Sequence, residues 1–181
     1  DVEADAATVA ALEPAVTIVA TGSTDRRLDG VDGLDLDMVS SAYDVLAGTA
    51  SLRHSPIVIY GAGEIGCEAA KFAADKGFDV ILSTRSSDEH ALSRSNWLRI
   101  YRDQFVKTLR AYPNIRIELG TVLKSVAPGR VTMQRNREEG SWQAGQFLLA
   151  VGRLPENGLG PALRARGLTA PLVGESHGVR R

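Results

Sequence analysis

Apolar side chains run without a break through Ile57, Val58, Ile59 and Tyr60, and again through Phe147-Leu-Leu-Ala-Val151. Short runs of this kind, the first of them rich in β-branched residues, predict parallel strands covered on both faces. Asp79-Val-Ile-Leu82 predicts another, and the stretch before it is helical, closed by Gly77 as the residue after the last turn. From Asn96 to Ala111 the spacing becomes that of an amphipathic helix, with Trp97, Ile100, Tyr101, Phe105 and Leu109 on one face. Arg99, Arg102, Lys107 and Arg110 take the other faces, the usual place for solvated charge. Residues 115–119, 121–126 and 130–134 alternate as successive strands, and Asn136 to Gly140 supplies a hairpin turn whose return arm opens at Trp142.

The flanks are less regular. A short helix before Pro14 points Val9 and Leu12 inward, and Val16 to Ala20 reads as a strand ending in Thr21-Gly22-Ser23. Thr24 to Leu36 is polar and rich in Gly and Asp, a connecting loop. Asp37 to Ala47 predicts a short helix, capped by Ser40 or Ser41 and stopped by Gly48. Near the end, Pro161 to Arg166 predicts a short helix and Leu172-Val-Gly174 a last strand fragment. Val16 to Ala20 is expected to pair near 172–174, because both outer segments lead away from the central region.

Composition adds mainly exclusions. The 181 residues carry 21 basic and 22 acidic side chains, so no global field points to nucleic acid or an anionic membrane as partner. No apolar run approaches the roughly 20 residues that span a bilayer, and the expected location is cytoplasmic. The one cysteine, Cys67, excludes an internal disulfide or a redox-active pair within the chain. It lies in the first turn of the helix after Tyr60, where a helix dipole lowers a thiol pKa, but a buried packing role is the commoner one. No metal site is expected.

The chemistry centres on Gly61-Ala-Gly63-Glu-Ile-Gly66, which leaves one predicted strand and enters a helix. In a dinucleotide-binding βαβ unit the first glycine permits the tight turn and the second lets a pyrophosphate approach the backbone. The third lets the helix sit close on the sheet. The helix N-terminus then offers unpaired N–H groups and a positive dipole end to the phosphates. The N–H groups around Gly63 to Ile65 are therefore expected to face an open crevice at the sheet's C-terminal edge. Two strand ends also read alike, Ile18-Val-Ala-Thr-Gly22 and Leu149-Ala-Val-Gly152, where a small residue and a glycine let backbone turn close under a nucleotide.

Four ordered motifs, Ala20-Thr-Gly22-Ser, Gly61 to Glu68, Ala150-Val-Gly-Arg-Leu-Pro-Glu-Asn157 and Val173-Gly-Glu175, resemble the two-dinucleotide-binding-domain flavoproteins, among them the pyridine nucleotide-disulfide oxidoreductases. With Val39 to Gly48, the chain is most similar in look to the C-terminal half of 2,4-dienoyl-CoA reductase and trimethylamine dehydrogenase-like proteins. The resemblance implies an α/β, Rossmann-like three-layer FAD/NAD(P)-binding fold, a parallel sheet with helices on one side and a small antiparallel β-meander. It implies an NAD(P)-binding domain at 56–152, flanked by FAD-side segments 1–55 and 153–181.

The implied function is the NAD(P)H-binding portion of a flavin-dependent oxidoreductase, positioning nicotinamide for hydride transfer to a flavin. The alternative is a non-catalytic adenine-nucleotide-binding or docking domain, and a third is a structural domain with a vestigial site. Gly61, Gly63 and Gly66 would bind pyrophosphate, Glu64 and Ile65 open the helix beneath it, and Gly152 borders the nicotinamide. Glu68 matches a family carboxylate near the nicotinamide. The implied partner is a flavin-bearing remainder or subunit, with FAD only in a complete parent. The chain departs from the family in lacking the FAD domain's own glycine loop and in carrying Glu175 where Asp is usual.

NAD-selective sites usually end the second strand with an acidic residue on the ribose hydroxyls. Here Leu82-Ser-Thr-Arg85 holds no carboxylate. Arg85 offers a permanently charged fork suited to a 2′-phosphate, Ser83, Thr84, Ser86 and Ser87 add hydroxyls, and Arg94 a second charge. NADP is therefore expected over NAD.

Overall fold

The structure, a computed structural model, describes residues 3–94 and 99–179. In chain order its elements are α1 (Ala6–Ala11), β1 (Ser23–Asp25), β2 (Val39–Ser41), α2 (Ala42–Ala47), β3 (Ile57–Tyr60), α3 (Glu64–Asp75) and β4 (Val80–Ser83). There follow α4 (Arg99–Ala111), β5 (Ile115–Glu118), β6 (Thr121–Ala127), β7 (Arg130–Arg135), β8 (Glu138–Gln143), β9 (Gln146–Leu149), β10 (Arg153–Pro155) and α5 (Leu159–Arg164). They form two compact units, one of residues 27–152 and one of 1–26 with 153–181.

The larger unit is built on a parallel sheet in the order β2-β9-β3-β4-β5. All four residues of β3 are buried, as the unbroken apolar run requires of a strand covered on both faces. Alternation within that run sends its side chains to two different cores. Ile57 and Ile59, with Val80, Leu82 and Leu148, meet the helices, where Ala69, Ala70, Ala73 and Ala74 of α3 are small enough to let it lie close. Val58, Tyr60 and Phe147 meet Leu123, Val126, Val131 and Met133 of the antiparallel meander β6-β7-β8. Helices, sheet and meander are thus the three expected layers.

Several elements differ in detail from the sequence reading. Residues 39–41, expected to be helical, form an edge strand of the sheet, and only then does Ser41 cap α2 by accepting from the Tyr43 N–H at 3.1 Å. Gly48 stops the helix in a left-handed conformation, as expected. The hairpin turn is tighter than Asn136 to Gly140: Asn136 and Arg137 take positive φ of 51° and 71°, and Glu138 already lies in the return strand. A two-residue turn of this hand matches the twist of the strands it joins. In α4 the inward stripe is Arg102, Phe105, Val106 and Leu109, while Ile100 and Tyr101 are exposed. The remainder of that predicted face, with Asn96 and Trp97, lies outside the described residues.

The smaller unit pairs β1 antiparallel with β10 around a modest core of Val19, Leu163 and Ala170. Val9 packs on that core, but Leu12 is 76 % exposed rather than inward. Ser23–Asp25 is strand rather than loop because Arg153–Pro155 supplies its partner. The expected strand at 16–20 contracts to one parallel bridge, Val19 with Leu172, which places the predicted pairing at its expected position.

Candidate dinucleotide site

β3 has β4 on one side and β9 on the other, so the chain leaves β3 for α3 and β4 in one direction while β9 closes from the opposite one. Ligands of open α/β sheets bind at such a reversal, outside the carboxyl ends of the strands. The glycine loop stands there: the Gly61 N–H bonds the Ser83 carbonyl at 2.8 Å and the Ala150 N–H bonds the Tyr60 carbonyl at 2.8 Å.

The three loop glycines answer to different demands. Gly61 has φ 106°, and a Cβ on it would lie 2.2 Å from the Ala150 carbonyl oxygen. A Cβ on Gly66 would lie 1.8 Å from the Gly61 carbonyl oxygen, so the helix rests directly on the turn. Gly63 is different, for a Cβ there would meet nothing within 4 Å. It is the N-cap of α3 and supplies no side-chain bond to the first helical N–H groups. Packing therefore explains Gly61 and Gly66 without a ligand, whereas the small residue at Gly63 leaves an open approach to a 12-residue helix terminus. That geometry fits a pyrophosphate, with the N–H groups of Glu64 and Ile65 beside it.

The surrounding residues divide similarly. Ile65 is half-buried against the helix-side core, and its side chain is a packing group. Cys67 is buried and its thiol donates to the Ala62 carbonyl at 3.3 Å. Burial pushes that thiol up to about 12, so it packs rather than reacts. Glu68 is exposed on the next turn; partial desolvation, then the Glu64 carboxylate, raises its pKa. Gly152, φ 96°, ends the segment after β9 with open space where a side chain would stand.

At the end of β4, Arg85 is exposed on a backbone that the neighbouring strand connection fixes. The Thr84 N–H bonds the Glu118 carbonyl at 3.0 Å, the Thr121 N–H the Thr84 carbonyl at 2.9 Å, and the Gly120 N–H the Ser86 carbonyl at 2.8 Å. The hydroxyls expected to assist Arg85 are largely engaged elsewhere. Ser83 is fully buried and donates to the Ile59 carbonyl at 2.9 Å, so it faces the sheet interior and not a phosphate. Ser86 accepts from the Asp88 N–H at 3.1 Å, closing a local turn; Ser87 and Arg94 are exposed.

Sequence reasoning missed two supports. Ser93, at φ 50°, donates its N–H to the Ala62 carbonyl at 2.9 Å and seats the loop after β4 against the glycine turn. Gln146, buried at the start of β9, accepts from the Arg53 N–H at 2.9 Å and donates to the Ser51 carbonyl at 3.1 Å, fastening the approach to β3. The positive φ of Ser93 leaves no mark in composition, and a lone Gln before an apolar run looks like a loop residue.

In the smaller unit Arg153 is engaged by its own neighbours. Arg153 pairs with Asp25 at 2.8 Å and donates to the Ser23 hydroxyl at 2.6 Å, while that hydroxyl donates to Glu175 at 2.5 Å. The given sequence holds a single G-x-G-x-x-G.

With this geometry, residues 3–170 match the family model described as pyridine nucleotide-disulphide oxidoreductase. The chain belongs to that family. Among its oxidoreductase relatives, an NADH oxidase of Thermoanaerobacter brockii is 32 % identical over 187 residues, covering 98 % of this chain and 27 % of the relative. A 2-naphthoyl-CoA reductase structure superimposes with TM-score 0.84 at 22 % identity, over 99 % of this chain and 26 % of that one. Histamine dehydrogenase from a Rhizobium species gives TM-score 0.76 at 19 % identity, over 100 % and 30 %. This chain thus spans about a quarter of the length of the curated relatives it matches, 27 % and 24 %. Among the described residues no helix is long and apolar enough to cross a membrane, and no cluster of His, Cys, Asp and Glu is placed to hold a metal.

Proposed function

We propose that this chain is the NAD(P)H-binding portion of a flavin-dependent oxidoreductase, and that NADPH is its preferred nucleotide. The observation that carries the reading is Gly63, the one loop glycine with no neighbour to demand it, at an uncapped helix terminus on the sheet's reversal point. Gly61 and Gly66 shape the turn, the N–H groups of Glu64 and Ile65 receive the pyrophosphate, and Gly152 lies beside the nicotinamide. When bound, the nicotinamide supplies a hydride for a flavin held by the remainder of the protein or a partner subunit. The chain's own part is to bind and orient.

Arg85 supports the choice of NADPH, since it is exposed at the end of β4 with no carboxylate at the strand end. The name NADH oxidase, borne by a relative of 32 % identity, points the other way for that relative. Calorimetric titration of this chain with NADPH, NADH and ADP tests the proposal. The expected order is NADPH tightest. Equal affinity for ADP and NADPH would favour the non-catalytic adenine-nucleotide reading, and no binding of any of the three would refute both.

A further inference from the structure

Two cations of α4, Arg99 and Arg102, find an acid on their own helix, Asp103, at 3.6 and 3.0 Å. Arg110 instead reaches off the helix, and its guanidinium pairs with Glu89 at 2.7 Å. Glu89 belongs to the loop after β4, the loop that carries Arg85. Both side chains of the pair are exposed, so it contributes little to stability.

The loop is shaped without that pair. Thr84 Oγ1 accepts from the Ser86 N–H at 3.4 Å, Ser86 Oγ from the Asp88 N–H at 3.1 Å and Asp88 Oδ1 from the His90 N–H at 2.9 Å. Three side chains in succession thus close a turn on the residue two further on. The residues between them, Arg85, Ser87 and Glu89, are left exposed. Leu92, fully buried, and the Ser93 N–H on the Ala62 carbonyl pin the far end.

What the pair changes is charge. Residues 84–94 hold two arginines, Arg85 and Arg94, and two carboxylates, Asp88 and Glu89, so with His90 uncharged the loop by itself is neutral. Asp88 is tied to the backbone of its own turn, while the Glu89 carboxylate has Arg110 as its partner. Four residues of fully extended chain span at most ~14 Å, and tight turns shorten that. A released Glu89 could therefore reach the Arg85 guanidinium and form the bidentate pair that a phosphate would otherwise make. Among the described residues Arg85 makes no ion pair.

We infer that Arg110 is a positioning residue for the choice of cofactor: by holding Glu89 on α4 it keeps that carboxylate off Arg85 and leaves the loop a net cation for a 2′-phosphate. The inference rests on the NADPH preference proposed above and assigns part of it to a residue that acts through Glu89.

Isothermal titration with NADPH and NADH tests this on the 181-residue chain as wild type, Arg110→Ala, Arg110→Lys and the double variant Arg110→Ala with Glu89→Gln. Arg110→Ala is expected to weaken NADPH about three- to fivefold, the size of an exposed charge interaction, and to leave NADH unchanged. Arg110→Lys should keep the wild-type ratio. Adding Glu89→Gln to Arg110→Ala should restore it, since no carboxylate is then released. At ~1 M salt, where charges more than about 3 Å apart are screened, the difference between wild type and Arg110→Ala should vanish. The melting temperature of Arg110→Ala should fall by no more than about 4 °C. Equal weakening of both nucleotides would reveal a merely structural role and overturn the inference, as would failure of Glu89→Gln to restore the ratio. Absence of an NADPH preference in wild type would overturn the nucleotide reading and this inference together. A wild-type preference that Arg110→Ala leaves intact would overturn the inference alone.

Discussion

Gly61, Gly63 and Gly66 should separate cleanly into two that hold the fold and one that admits a ligand. In Gly66→Ala the new Cβ would start 1.8 Å from the Gly61 oxygen, against the 3.0 Å below which such contacts essentially do not occur, so helix or turn must retreat by about 1.2 Å. Overpacking of that kind costs about 1–3 kcal/mol. Gly61→Ala adds the strain of an L residue at φ 106°, about 1–2 kcal/mol, to its 2.2 Å clash with Ala150. At roughly 2–4 °C per kcal/mol for a domain of this size, the two variants should melt about 2–20 °C below wild type, Gly61→Ala the further. Gly63→Val meets no neighbour and sits at φ −68°, ψ −169°, open to any residue. Its cost is a changed N-cap, under about 1 kcal/mol, so its melting temperature should fall by no more than about 4 °C. Nucleotide affinity should follow the opposite order, with Gly63→Val losing at least ~10-fold because its side chain fills the approach to the helix terminus. Scanning calorimetry and isothermal titration of the three variants measure both quantities. Wild-type affinity in Gly63→Val would refute a ligand at that position, and wild-type stability in Gly66→Ala would refute the packing argument.

Three further outcomes follow from the same geometry. Arg85→Ala should remove most of a preference for NADPH over NADH on the order of ten- to a hundredfold, as one charge-assisted phosphate contact of about 1.5–3 kcal/mol allows; a preference that survives the substitution would exclude Arg85 as its source. Glu68, whose pKa is raised by burial and by Glu64, binds its proton more tightly folded than unfolded, so stability falls as pH rises from the unfolded value through the folded one. Glu68→Gln should raise the melting temperature at pH 7 but not below the ordinary carboxylate range, and a gain at both pH values would contradict that origin. Cys67, pushed up to about 12, should resist a thiol reagent at pH 8 in the native protein and react at once in denaturant; fast native labelling would show that the helix-side core opens readily.

The sequence carried the layered fold where local physics decided it. The apolar run at Ile57 to Tyr60, the glycines that follow and the alternation of the meander each specify one local geometry, and their order specifies the rest. It did not reveal β2, because Val39-Ser-Ser41 has no strand pattern of its own and becomes one only by pairing with Phe147 to Leu149. Nor did it show that Ile100 and Tyr101 face outward, since Arg102 occupies a helix position equally able to turn inward and bonds the His90 carbonyl at 3.4 Å. At the candidate site the glycine loop was legible and the state of the Ser83 hydroxyl was not, because its acceptor belongs to the adjacent strand.

β9 lies beside β3 in the sheet but some ninety residues after it in the chain, with Val58 paired to Phe147. The loop at Gly61 is shaped by Ala150, so the helix, β4 and β5 can all be made before the partner that completes the turn has been synthesised. Long-range parallel pairing of this kind closes slowly, because the loop entropy is lost before the contact forms. A nascent chain that has reached residue 145 therefore holds the glycine sequence without its finished cradle. On the proposed function, nucleotide capture becomes a late event in synthesis, and until then β3 lacks one of its two sheet neighbours.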